Sequence, residues 1–184
     1  MTATIPTLFE WAGGTPAFEL LFNKFYDKVL ADELLEPVFK HMSPLHRMHV
    51  AHFVSEVFGG PKTYSETEGS HYAMINKHLQ KHLTEAHRKR WIELLLQTAD
   101  ELSLPDDPEF RSAFMAYLEW GTRIAVLNSQ TDNTTESPDT PMPKWGWGVP
   151  GDHTFPEIIK HVCKMTGVQG QHIIITALLA FMFG

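Results

Sequence analysis

HYAMINKHLQKHLTEAHRKRW, residues 71–91, sets a histidine, His78, in mid-segment and an indole, Trp91, 13 residues further on, across a turn at Leu83 to Glu85. Neither residue says much alone. The same chain carries Phe25-Tyr26 within an apolar helical pattern, Phe39 13 positions after Tyr26, and two Gly-Gly breaks at Gly13-Gly14 and Gly59-Gly60. Together these features describe a pocket for a flat apolar cofactor with one metal ligand.

Outward from this stretch, helix signals dominate up to about residue 128. Phe18, Leu21, Phe22, Phe25, Tyr26 and Val29 recur on one helical face. Thr15-Pro16 opens that helix as N-cap and first-turn proline, and Ser43-Pro44 opens the next, which Gly59-Gly60-Pro61 ends. Residues 61–70 read as irregular, and a short helix over 71–82 carries His78. Thr84 caps a long helix bearing Trp91, Leu94, Leu95, Thr98 and Leu102, which Pro105-Asp106-Asp107-Pro108 breaks. A last helix places Phe110, Phe114, Tyr117, Leu118, Gly121, Ile124 and Ala125 on one face. No alternation of period two competes with these patterns, so the fold class is all-α.

Composition narrows the class further. A chain of 184 residues with 43% hydrophobic and 11% aromatic content suits one globular domain with an appendage. A net charge of −7 argues against nucleic acid, because reading phosphate needs a basic excess. The first residues, MTATIPTLFEWAGG, lack a positive region followed by an apolar run, so no signal peptide is expected. A single cysteine, Cys163, forms no internal disulfide and fits a reducing cytoplasm. The longest apolar run, Ile173 to Phe183, is about half the ~20 residues a spanning helix needs, so no membrane span is expected.

After Asn128 the pattern changes. Residues 129–138 are polar and read as a flexible linker. PMPKWGWGVPG, residues 141–151, favours extended docking over helix. The domain reading is therefore a helical domain over 1–128, a Pro/Gly/Trp-rich linker over 129–150 and an extension over 151–184, with a short helix at 155–165. The helical domain supplies its own pocket, and Trp145 and Trp147 are expected to dock on its surface.

Several side chains compete for the chemistry. A neutral imidazole on a short helix suits the fifth ligand of a haem iron; His78 fits, and His71, His82 and His87 are rivals that spacing does not exclude. Tyr26 is either a core tyrosine or a phenol aimed at a ligand on the far side of the iron. Trp91 must place its indole N–H somewhere, and Phe39 is either a core plug or a ring against porphyrin. His46, His49 and His52 recur at steps of three, with His41 nearby, so a divalent-metal site is an alternative. No cysteine lies close, the nearest acid is Glu56, and steps of three drift around a helix, which favours a solvated polar face. No G-x-S-x-G elbow and no glycine-rich phosphate loop is present, which excludes the common hydrolase and nucleotide-binding designs.

Residues from about Thr7 to Asn128 resemble the truncated haemoglobins, the two-over-two helical globins, and most of all their group II. The resemblance rests on Gly13-Gly14, Phe25-Tyr26, Glu36-Pro37-Val38-Phe39, Phe53, Gly59-Gly60-Pro61-Lys62-Thr63-Tyr64-Ser65, Gly69, His78 and Trp91. It implies a truncated globin fold, haem b as cofactor, and His78 as proximal iron ligand. It further implies Tyr26 and Trp91 as distal hydrogen-bond donors, with Phe39 and Phe53 on the haem and Val50 over the iron. His46 falls where group II commonly has a small residue, and is either a third polar group or an internal iron ligand. His49 and Lys77 fall near the propionates. The implied function is binding of O₂, NO and CO, with NO or peroxide detoxification through a separate reductase, by a monomer or homodimer. The alternative class is a haem-free α-helical interaction module or a His-rich divalent-metal binder.

Overall fold

The computed structural model describes residues 5–134 and 136–148. Cys163, the expected helix at 155–165 and the Ile173–Phe183 run lie outside them. Among the described residues the regular elements are helical. The first, α1 (Leu8–Trp11), is a single turn closed by a capping box: the Thr7 hydroxyl accepts from the Glu10 N–H, and the Glu10 carboxylate accepts from the Thr7 N–H.

Next comes α2 (Gly14–Ala31), which buries Phe18, Leu21, Phe22, Phe25, Tyr26 and Val29, the face its periodicity marks. Thr15 does not cap it. Gly13 does, at φ 104°, a left-handed conformation that glycine adopts without steric cost and that lets the helix begin two residues earlier. The EPVF turn forms α3 (Glu36–Phe39). The next helix, α4 (His46–Val57), starts two residues after Pro44. Ser43 makes the preceding turn instead, its hydroxyl accepting from Leu45 and its carbonyl from His46. At the far end, a Cβ on Gly60 would lie 2.7 Å from both Phe9 and the Ser55 carbonyl, so this glycine is a close-packing requirement between α1 and α4.

Residues 61–70 are more regular than expected. Tyr64–Glu68 form a π-helical turn in which the Tyr64 carbonyl takes the Gly69 N–H at 2.9 Å. Helix α5 (His71–Asn76) is shorter than expected, and His78 lies in the turn just beyond it. Gln80 and His82, further along that turn, adopt left-handed backbones at φ 59° and 49°, so the chain does not resume a helix there. Helix α6 (Glu85–Glu101) begins at Thr84, whose hydroxyl accepts from the His87 N–H. Asp107 caps α7 (Pro108–Asn128) in the same way through Phe110.

The helices stack as α2 on α4 and on α6, with α6 in turn on α7. The result is the two-over-two arrangement, with no strand among the described residues. The segment expected to be a linker lies within this packing. Trp145 is buried in the same apolar cluster as Phe58, Phe114 and Tyr117, donates its indole N–H to the Ala113 carbonyl at 3.0 Å, and gives its backbone N–H to Val57 at 2.8 Å. Trp147 donates to the Pro6 carbonyl at 2.7 Å and meets Trp11 edge-on. Two indoles bury large apolar area while each N–H finds a carbonyl, so the polar stretch between α7 and Trp145 joins two anchored ends.

Trp145→Ala removes such a side chain from the core and leaves the Ala113 carbonyl without its donor. We expect the variant to lose about 3 kcal/mol of unfolding free energy, read as a lowered urea midpoint in the full chain. An unchanged midpoint would place Trp145 outside the cooperative unit.

Candidate functional site

The buried face of α2 brings Tyr26 against side chains from three other elements. Its ring lies 5.7 Å from Phe39 of α3 and 5.0 Å from His46 of α4, and its hydroxyl is 2.9 Å from His46 Nε2. From α6, Trp91 packs edge-on at 4.8 Å against Phe25, the neighbour of Tyr26. Burial pushes the Tyr26 phenol well above its ordinary value, with a hydrogen bond from Trp91 and the charge of Arg47 offsetting part of that rise. The phenol is therefore neutral and a donor. His46 is pushed down to about 4, chiefly by burial, with the charges of Lys77, His78 and His49 adding to the effect. It too is neutral at physiological pH.

In the turn after α5, His78 donates from Nδ1 to the Met74 carbonyl, 3.0 Å away. A carbonyl only accepts, so the proton sits on Nδ1 and the Nε2 lone pair is free. Burial lowers the ring's proton affinity, only partly offset by the Met74 bond, and Lys77 and Lys81 lower it further. A neutral imidazole with its outer nitrogen uncommitted, half-exposed at the edge of an apolar core, is the donor chemistry a metalloporphyrin needs. The residues present fit haem.

The other expected residues fall around these two poles. Val50 of α4 is half-buried and packs on the core, and Phe53 is buried with its ring 5.2 Å from Tyr64 of the π-helical turn. His49 lies 6.5 Å from that same tyrosine, and Lys77 is exposed beside His78. The three-histidine alternative separates in space. His46 turns to Tyr26, His49 faces Tyr64, and His52 is sandwiched between Glu68 at 2.6 Å and Glu19 at 3.1 Å. No cluster of histidine, cysteine and carboxylate ligands with metal-binding geometry occurs among the described residues. Glu19 and Glu68 escaped sequence reasoning because each lies far from His52 along the chain. Tyr64 was visible only as part of a motif, with nothing in its spacing to mark it as buried.

The bacterial-like globin family model matches residues 7–121. The chain shares 33% identity with a group 1 truncated haemoglobin of Synechocystis over 104 residues, 55% of this chain and 82% of that protein. It shares 26% with a group 2 truncated haemoglobin of Bacillus subtilis, covering 65% and 89% respectively. Among solved structures, the group II truncated haemoglobin of Bacillus anthracis superposes with a TM-score of 0.61 at 24% identity, covering 72% of this chain and 98% of that one. This chain belongs to the bacterial-like globin family, as a truncated haemoglobin. The family binds haem and, through it, O₂ and related gases. No helix among the described residues is long and apolar enough to cross a membrane.

His52 gives this site a pH signature. Burial alone would lower its proton affinity, but hydrogen bonds and charge from Glu68 and Glu19 overcome that and raise it above the ordinary 6.5. Folding therefore favours the protonated ring. The stabilisation is complete below pH 6.5 and is lost as the pH climbs through the raised value. Melting temperature should fall as the pH rises from 6.5 through the raised value, and His52→Gln should flatten that fall. Equal slopes in both proteins would remove the two-carboxylate pairing from the account.

Proposed function

We propose that this protein binds O₂ and related diatomic gases at a haem b held by His78. The observation that carries this reading is the presence in one fold of two kinds of group: a neutral imidazole, His78, with a free Nε2, and a set of neutral donors in which half-buried His46 and Trp91 meet buried Tyr26. In this reading Phe39, Phe53 and Val50 pack on the porphyrin, and His49 and Lys77 lie by its propionates. When bound, haem supplies a ferrous iron that takes a diatomic gas reversibly.

The rest is the work of the side chains. In this reading neutral His46 carries its proton on Nε2 and donates to the Tyr26 oxygen, and Trp91 donates to the same oxygen. Both bonds leave the phenol's own hydrogen for the gas. In this reading His46 serves as a third polar group, its Nε2 lying 2.9 Å from the Tyr26 hydroxyl. Donors of this kind favour the gas that best accepts a hydrogen bond, so O₂ is retained against CO. A hydrogen bond to a charged acceptor contributes roughly 1.5–3 kcal/mol, or ~10- to 150-fold in release rate.

Slow release suits scavenging, sensing or redox chemistry better than bulk transport. NO or peroxide detoxification falls within the reading and takes its electrons from a separate reductase. Stopped-flow O₂ release tests it. Tyr26→Phe and Trp91→Phe should each accelerate release by at least ~10-fold, and the double variant should fall short of the product, because Trp91 acts through the Tyr26 hydroxyl. Unchanged rates in both single variants would end the distal-donor reading.

A further inference from the structure

The turn that carries His78 is held from outside the globin helices. Gln80 and His82, which flank Lys81, stand in left-handed conformations that side-chain-bearing residues rarely adopt. Their backbone N–H groups point away from any helix. That of Gln80 donates to the Thr131 carbonyl at 3.2 Å and that of His82 to the Ser129 carbonyl at 3.0 Å. The next amide, Leu83, donates to the Ser129 hydroxyl at 2.9 Å, and the Leu83 carbonyl accepts from the Gln130 side chain at 2.8 Å. The Gln80 amide reaches Asp132 at 3.2 Å. At the other end of the same segment, His71, the first residue of α5, is 3.0 Å from the Pro141 carbonyl through Nδ1. Ser129 is wholly buried, and the chain beyond Pro141 is pinned by Trp145 and Trp147.

We propose that residues 129–132 and Pro141 form a strap that clamps the His78 turn at both ends and so positions His78 as a ligand. The proposal rests on the haem reading above for what His78 binds. The clamp itself is a matter of backbone bonds and is testable without haem. Left-handed Gln80 and His82 need partners for their amides, and α5 and α6 supply none. The strap supplies both. A globin domain cut at Asn128 would lose every one of these bonds, so the segment after α7 belongs to the ligand's support and not to an appendage.

The test uses the full chain with Ser129→Ala, which deletes the Leu83 acceptor, and exposed Gln130→Ala, which leaves the core untouched. In the haem-free protein, hydrogen exchange should quicken by ~10-fold at Leu83 in the first variant, with α2 and α6 amides unchanged. In the haem-loaded ferrous protein, the iron–histidine stretching band should shift or broaden, and haem loss to an acceptor globin should accelerate at least ~3-fold. Unchanged Leu83 protection in both variants overturns the clamp. So does a uniform loss of protection across all helices, which is general destabilisation. Loosened Leu83 with an unmoved stretching band and unmoved haem loss overturns the positioning of His78. A wild-type chain that takes up no haem refutes the gas-binding reading, while the exchange arm still reports whether the strap holds the turn.

Discussion

Everything in this molecule leans on the aromatic face of α2. Phe18, Phe22, Phe25 and Tyr26 are buried on one stripe of a single helix, and both α4 and α6 pack against it. Burying such a stripe is the main stabilisation available to a helix of this length. The same packing puts a phenol where a phenol is costly. Tyr26 is stable there because its hydroxyl meets His46 and Trp91, one from each helix that covers the stripe. Core formation and construction of the donor set are thus one event, since the helices that exclude water from Tyr26 also deliver its partners.

Electrostatics then separates the two poles. His46 and His78 are both driven towards the neutral form, by burial and by neighbouring positive charge. A metal ligand must be neutral at its coordinating nitrogen, and a donor to a bound gas must keep its proton. Away from the centre the logic reverses. His52, between two carboxylates, keeps its charge and ties α2 and α4 to the π-helical turn. Arg88 likewise sits buried on α6 between Glu85 and Glu119, joining α6 to α7. One fold therefore drives His46 and His78 towards the neutral form and His52, where helices are joined, towards the charged one.

How much of this was readable from the chain depends on distance along it. The face of α2, the Thr84 cap and the α7 stripe are periodic local patterns, and the structure has them. Gly59-Gly60 was legible as a break, although its reason, the close approach of Phe9 and Ser55, is tertiary. The start of α2 was misplaced because Thr15-Pro16 is a good local cap that a left-handed Gly13 outcompetes. The end of α5 was misplaced because left-handed Gln80 and His82 depend on bonds to residues 129–131, some 50 positions away. The same long reach explains why polar residues 129–138 read as a linker. Most of their side chains are solvated, and only buried Ser129, their backbone bonds and the two following tryptophans reveal that they are packed. Trp91 was legible through the family resemblance, whereas the Tyr26–His46 bond was not, since nothing in the spacing between α2 and α4 fixes it.

The central claim is that His78, alone among the histidines, holds the iron. The most direct measurement is the ferrous absorption and resonance Raman spectrum of the full chain reconstituted with haem, compared across single histidine variants. The account predicts that His78→Gly loses haem or its iron–histidine band, with recovery on adding imidazole, while His71→Ala, His82→Ala and His87→Ala retain haem bound through histidine. A His78→Gly protein that binds haem with an unchanged ferrous spectrum and no response to imidazole would contradict it.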